Sequence, residues 1–176
     1  FLPIPLMPLY WVDRLGFTDG DISLGTATFH LAVLVGSLQV GRLVQRFGNH
    51  RVTVVGGLLL SLYPLLTAVM TNLPVYLIVS VTGGLAWSLV GAAIGNYLLE
   101  NVPDTDRPAY LAWYNLALNL AVLVGSLGGP LLADAFGLVE ALVISFVARA
   151  LGAVAIWAVR QPAMQPTPAI TTAEQA

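Results

Sequence analysis

Lysine and cysteine are both absent from this chain, and charged residues of every kind make up only 9% of it. The missing cysteine excludes disulfides and thiolate metal sites. The shortage of charge has a wider consequence. Soluble domains carry about 25% charged residues, so a chain that is 57% hydrophobic cannot clothe a water-facing surface. No basic patch suggests nucleic acid. Neither a serine-hydrolase elbow, a phosphate-binding loop, zinc-ligand spacing nor a clustered carboxylate pair is present. No metal site, cofactor or catalysis is therefore expected, and the composition predicts an all-α polytopic membrane protein whose first partner is the lipid bilayer.

What is present is apolar length. Five stretches reach the ~20 residues needed to cross hydrocarbon: 22–41, 52–71, 75–99, 109–133 and 138–159. Unpaired backbone groups are costly in lipid, so spans this apolar are expected to be helices. Residues 1–12 are apolar but too short to cross and hold Pro3, Pro5 and Pro8. They are expected to be the end of a helix whose beginning lies upstream, bringing the count to six. Alternate turns then share a side. One side collects Arg42, Arg46, Arg51, Arg107 and Arg160, while the other holds Arg14 among Asp13, Asp19, Asp21, Asp134 and Glu140. Arginine excess marks the cytoplasmic side. The expected layout is residues 1–160 embedded in an inner or plasma membrane, and 161–176 as a disordered tail with a cytoplasmic C-terminus.

The octapeptide LAVLVGSL occurs at 31–38 and again at 120–127, 89 residues later. Leu43, Phe47 and Gly48 recur at that offset as Leu132, Phe136 and Gly137, and Thr26 and His30 align with Asn115 and Asn119. An odd number of crossings separates the copies, so they point in opposite directions. Each is the middle helix of a three-helix unit, and the chain is expected to be two such units in inverted topology.

Between the second and third spans lies GRLVQRFGNHRV, residues 41–52. It resembles the signature loop of the major facilitator superfamily, G-x-L-a-D-r-x-G-r-k, through Gly41, Leu43, Arg46 and Gly48, with Arg51 keeping the basic end. Gln45 stands where the family has Asp, and Asn49 and His50 replace the usual basic pair. With six spans and the nested inverted repeat, the chain resembles the C-terminal half of such a transporter. The resemblance implies an N-terminal six-helix half as partner, a small-molecule substrate held between the halves, and alternating access. It also implies that the first, second, fourth and fifth spans face the cavity while the third and sixth pack outside.

Residue spacing singles out candidates for that cavity. Ser23, Thr26, His30, Ser37 and Gly41 share one helical face, as do Asn115, Asn119, Val122, Ser126 and Gly129. Polar stripes on membrane helices face protein or water rather than lipid. Thr26, His30, Asn115 and Asn119 are thus candidate hydrogen-bonding residues of a substrate cavity, or else interhelical hydrogen-bond partners. Histidine is the side chain suited to proton transfer near neutral pH, so His30 is a candidate proton site, or a neutral hydrogen-bond partner. Gly83, Trp87, Gly91 and Gly95 line one face of the fourth span beside Gly84 and Ser88. Such small residues suit close helix approach, and Trp87 is a candidate aromatic wall for a ligand. Arg149 is costly within the sixth span, at about 2.5–3.5 kcal/mol on insertion scales, and a structural or snorkelling role is expected for it. A non-transporting six-helix scaffold or accessory subunit is the other reading open to the sequence.

Overall fold

The computed structural model describes residues 1–103 and 105–158, so the expected tail 161–176 and Arg160 lie outside the described residues. Among the described residues there are helices and turns but no strand. The chain opens with a short helix α1, Leu6–Leu9, which runs into a π-helical turn at Tyr10–Arg14. Five long helices follow: α2 (Asp19–Phe47), α3 (Asn49–Val69), α4 (Leu73–Asn101), α5 (Arg107–Phe136) and α6 (Leu138–Ala158). All five are long and apolar enough to cross a bilayer, and each contains one of the stretches expected from the sequence to within two residues at its ends. The helices overrun most of those stretches because helical hydrogen bonding continues past the apolar run. Among the described residues the helices of membrane-crossing length are thus five, preceded by a helix too short to cross.

Local chemistry explains the boundaries. Thr18 caps α2 in a capping box: its hydroxyl accepts from the Asp21 N–H, and the Asp21 carboxylate accepts from the Thr18 N–H at 2.9 Å. Asn72 caps α4 by accepting from the Val75 N–H at 3.1 Å, with Pro74 in the first turn where its missing N–H costs nothing. Pro3, Pro5 and Pro8 remove donors from the first segment and keep it from forming a long regular helix. That segment is anchored nonetheless. Leu6, Met7, Tyr10 and Trp11 are buried against Ala68, Met70, Tyr76, Ala141 and Leu142. The Tyr10 hydroxyl donates to the Ala68 carbonyl at 2.9 Å, satisfying a carbonyl in the last turn of α3.

The expected duplication is written into the backbone. The α2–α3 junction is the single residue Gly48, at φ 81° and ψ 155°, and the α5–α6 junction is Gly137, at φ 101° and ψ 157°. Gly48 donates to the Val44 carbonyl and Gly137 to the Ala133 carbonyl, 89 positions on, at 2.8 and 2.9 Å. After each glycine comes a helix of 21 residues. The octapeptide copies also present themselves alike: Gly36 and Gly125 are buried, while Leu38 and Leu127 are 75% and 64% exposed. Fully burying one leucine is worth about 1.5–3 kcal/mol in water. Rows of exposed leucines therefore belong against lipid or another apolar surface.

Packing is uneven. α4 packs on α2 and α3, α3 lies between α4 and α6, and α5 touches the rest mainly through α6. Small residues make the tight contacts. A Cβ on Gly84 would run into the Phe29 carbonyl, and one on Gly83 would meet the ring of Tyr63. The third span, expected to pack outside, is the most buried of the long helices among the described residues, and the fifth is the least. α3 is wedged between α4 and α6, whereas α5 packs on α6 and, through Gly125 and Gly129, on the first residues of the chain.

Candidate functional site

Two regions hold the residues singled out by the sequence. The first is the open side of α2 and α5. Thr26, His30, Asn115 and Asn119 are all exposed in the described chain, as is Trp87 at 43%. Asn119 donates its amide to the Asn115 carbonyl at 2.7 Å, and Asn115 donates to the Leu111 carbonyl at 2.9 Å. These bonds stay within α5 and are not the interhelical bonds weighed as an alternative. They occupy one N–H of each amide and leave the side-chain oxygens as open acceptors. Thr26 likewise donates to the Ile22 carbonyl at 2.9 Å. It lines a cavity of about 180 Å³ with Trp11, Gly25, Phe29, Tyr63 and Tyr76. His30 rests edge-on against Phe29, with ring centroids 5.5 Å apart. The α2 and α5 faces do not form an interface with each other. The two stripes are thus presented by the same chain but are not brought into contact.

Trp87 is elsewhere. It lines a larger cavity, about 470 Å³, between α3, α4, α5 and α6, where it meets Tyr114 of α5 and Arg149 of α6. Gly91 shares this cavity. Among the described residues, no three His, Asp or Glu side chains come together to hold a metal ion.

The second region is the signature stretch, where the structure revises the expected loop. Residues 42–51 are not an extended turn: α2 runs through Phe47, α3 begins at Asn49, and Gly48 alone makes the reversal. Its φ and ψ lie in a region that is essentially open only to glycine. Gly41 instead sits within α2 with nothing within 4 Å of where its Cβ would be. Leu43 lines a cavity of about 330 Å³ with Phe47, Arg51, Val52, Val55 and Leu89. Arg46 stacks over Phe47 at 5.2 Å, and Arg51 is exposed.

Asn49 and His50, which replace the expected basic pair, have specific partners that sequence reading missed. The Asn49 amide donates to Glu100 at 2.6 Å, joining the start of α3 to the end of α4. The His50 ring donates through Nε2 to the Ile156 carbonyl at 3.1 Å, joining α3 to the end of α6. Arg107 donates to the Leu99 carbonyl at 3.3 Å. These bonds gather the turn bearing Arg46 and Arg51 and the turn bearing Arg107 at one end of the bundle, as the count of crossings requires. The signal was present in the pairing of an amide at position 49 with a lone carboxylate at position 100, but nothing in one sequence places them together.

A duplicated pair of helix–glycine–helix units, with polar faces left open on the middle helices, is now joined by a direct comparison. The profile of the Major Facilitator Superfamily matches residues 1–175. The chain belongs to this family. It is similar to the uncharacterized MFS-type transporter MJ1560 of Methanocaldococcus jannaschii, at 28% identity over 134 residues, covering 76% of this chain and 34% of that protein. It is also similar to the quinolone resistance protein NorA of Staphylococcus aureus, at 26% identity over 129 residues, covering 73% of this chain and 33% of NorA. The chain thus spans about one third of the length of these relatives. Membership in this family of membrane transporters, together with five helices of membrane-crossing length, makes the protein an integral multi-pass membrane protein of a transport family.

Proposed function

We propose that these residues form the C-terminal half of a secondary transporter, which moves a small solute by alternating access between this half and an N-terminal six-helix half. The observation that supports this most is the inverted repeat of one helix–glycine–helix unit, since such duplication underlies rocking-type carriers. The polar stripes of α2 and α5 then face the solute passage. Asn115 and Asn119 offer acceptor oxygens, Thr26 and His30 line the opposite copy's equivalent positions, and Trp87 provides an aromatic wall.

In this reading the Gly48 end of the bundle faces the cytoplasm from an inner or plasma membrane, which the excess of five arginines against one supports. The signature residues Gly41, Leu43, Arg46, Gly48 and Arg51 then lie at that surface, where Arg46 and Arg51 suit anionic headgroups.

The test is counterflow by the full-length transporter in proteoliposomes. Asn115→Ala and Asn119→Ala are each expected to lower transport efficiency roughly 2–10-fold, the worth of one hydrogen bond to an uncharged solute. Undiminished transport by both folded variants contradicts the assignment of α5. Stable protein with neither counterflow nor solute-dependent stabilisation favours a non-transporting scaffold.

A further inference from the structure

Arg149 is the twelfth residue of the 21-residue helix α6. At 1.5 Å per residue, its backbone lies roughly 14 Å from the last residue of that helix. The side chain does not turn out of the bundle. It lines the cavity of about 470 Å³ bounded by α3, α4, α5 and α6, in the company of Phe1, Trp87, Tyr114, Gly91 and Gly152. Among the described residues no carboxylate pairs with it, and its electrostatic neighbour there is the phenol of Tyr63. The described carboxylates lie at helix ends or turns: Glu100 closes α4, Asp106 precedes α5, Asp134 closes α5, Glu140 opens α6, and Asp13, Asp19 and Asp21 flank the start of α2.

A lysine in such a place would lose its proton, but a guanidinium does not. Desolvating an ion costs several kcal/mol even after the protein relaxes. A charge held in the middle of a helix, facing a cavity large enough for a ligand, therefore calls for a counter-charge that enters that cavity. The planar fork of N–H donors matches a carboxylate in bidentate fashion.

We propose that Arg149 is an anion site, and that a carboxylate entering this cavity pairs with its guanidinium. That carboxylate has two sources: a transported solute, which rests on the transport reading above, or a side chain of the transporter outside these 176 residues, the relatives being roughly twice as long.

Thermal unfolding of the purified full-length transporter separates them. If the partner is a side chain, Arg149→Leu lowers the melting temperature. In that case one neutralising change, Asp→Asn or Glu→Gln outside these residues, restores it in the double variant. If the partner is a solute, Arg149→Leu leaves the melting temperature equal or higher. Acetate or benzoate then raises that of the unsubstituted protein by roughly 2 °C or more and leaves the variant unmoved. A variant that is not destabilised, in a protein that neither carboxylate protects, overturns the proposal. Counterflow measured alongside keeps the two readings apart, since transport unaffected by Arg149→Leu rules out the solute as the partner and leaves the transport function standing.

Discussion

Glycines that look alike in the sequence carry different burdens in the fold. Gly84 is pressed so closely to α2 that a Cβ would strike the Phe29 carbonyl, whereas Gly41 has nothing within 4 Å. Gly84→Ala is expected to destabilise the protein by about 1–3 kcal/mol through overpacking. Gly41→Ala is expected to be neutral, or to stabilise α2 by up to about 1 kcal/mol through helix propensity. Thermal melts of the two variants check this, and equal losses contradict it. The stripe Gly83, Gly84 and Ser88 was legible as a packing face because small residues recur at helical spacing. Which of them touch backbone was not, because that depends on the approach of α2. The same holds for Asn49. Its hydrogen bond to the Glu100 carboxylate spans 51 positions, and Asn49→Ala is expected to cost about 1.5 kcal/mol, the lower range for a bond to a charged group. A change below 0.5 kcal/mol in denaturant unfolding would show that this bond contributes nothing.

At the level of elements, the apolar runs located every long helix because length and hydrophobicity decide what can cross lipid. The signature stretch was read as a loop because its arginines and polar residues interrupt the apolar pattern. The helices ignore that interruption, since exposed Arg42, Gln45 and Arg46 continue α2 without cost at its polar end. The reversal is concentrated in one residue per unit. Gly48→Ala and Gly137→Ala are each expected to lower stability by about 1–3 kcal/mol, because L-residues do not populate these backbone angles. The Glu140 carboxylate that a Cβ at 137 would meet is the end of an exposed, flexible side chain and can swing aside, so the two losses are expected to be similar. Melting temperatures that stay put for both would mean that the junctions relax freely. The proline-rich start resisted sequence reading for the opposite reason. Its short helix and π turn are held by tertiary anchors, such as Tyr10 on Ala68, that no local pattern announces.

Across the whole molecule, the duplication visible in eight repeated letters returned as similar junction angles, equal helix lengths after each junction and matching exposed leucines. The open faces of α2 and α5 were legible as polar stripes, but their distance from one another was not, because it is set by packing among α3, α4 and α6. The absence of native cysteine from these residues makes single-cysteine labelling in membranes a direct test of the inverted arrangement. Gln45→Cys and Thr105→Cys are predicted to react with an impermeant maleimide from one face of the bilayer, and Thr71→Cys and Ala135→Cys from the other. Labelling of positions 45 and 105 from opposite faces would contradict the account.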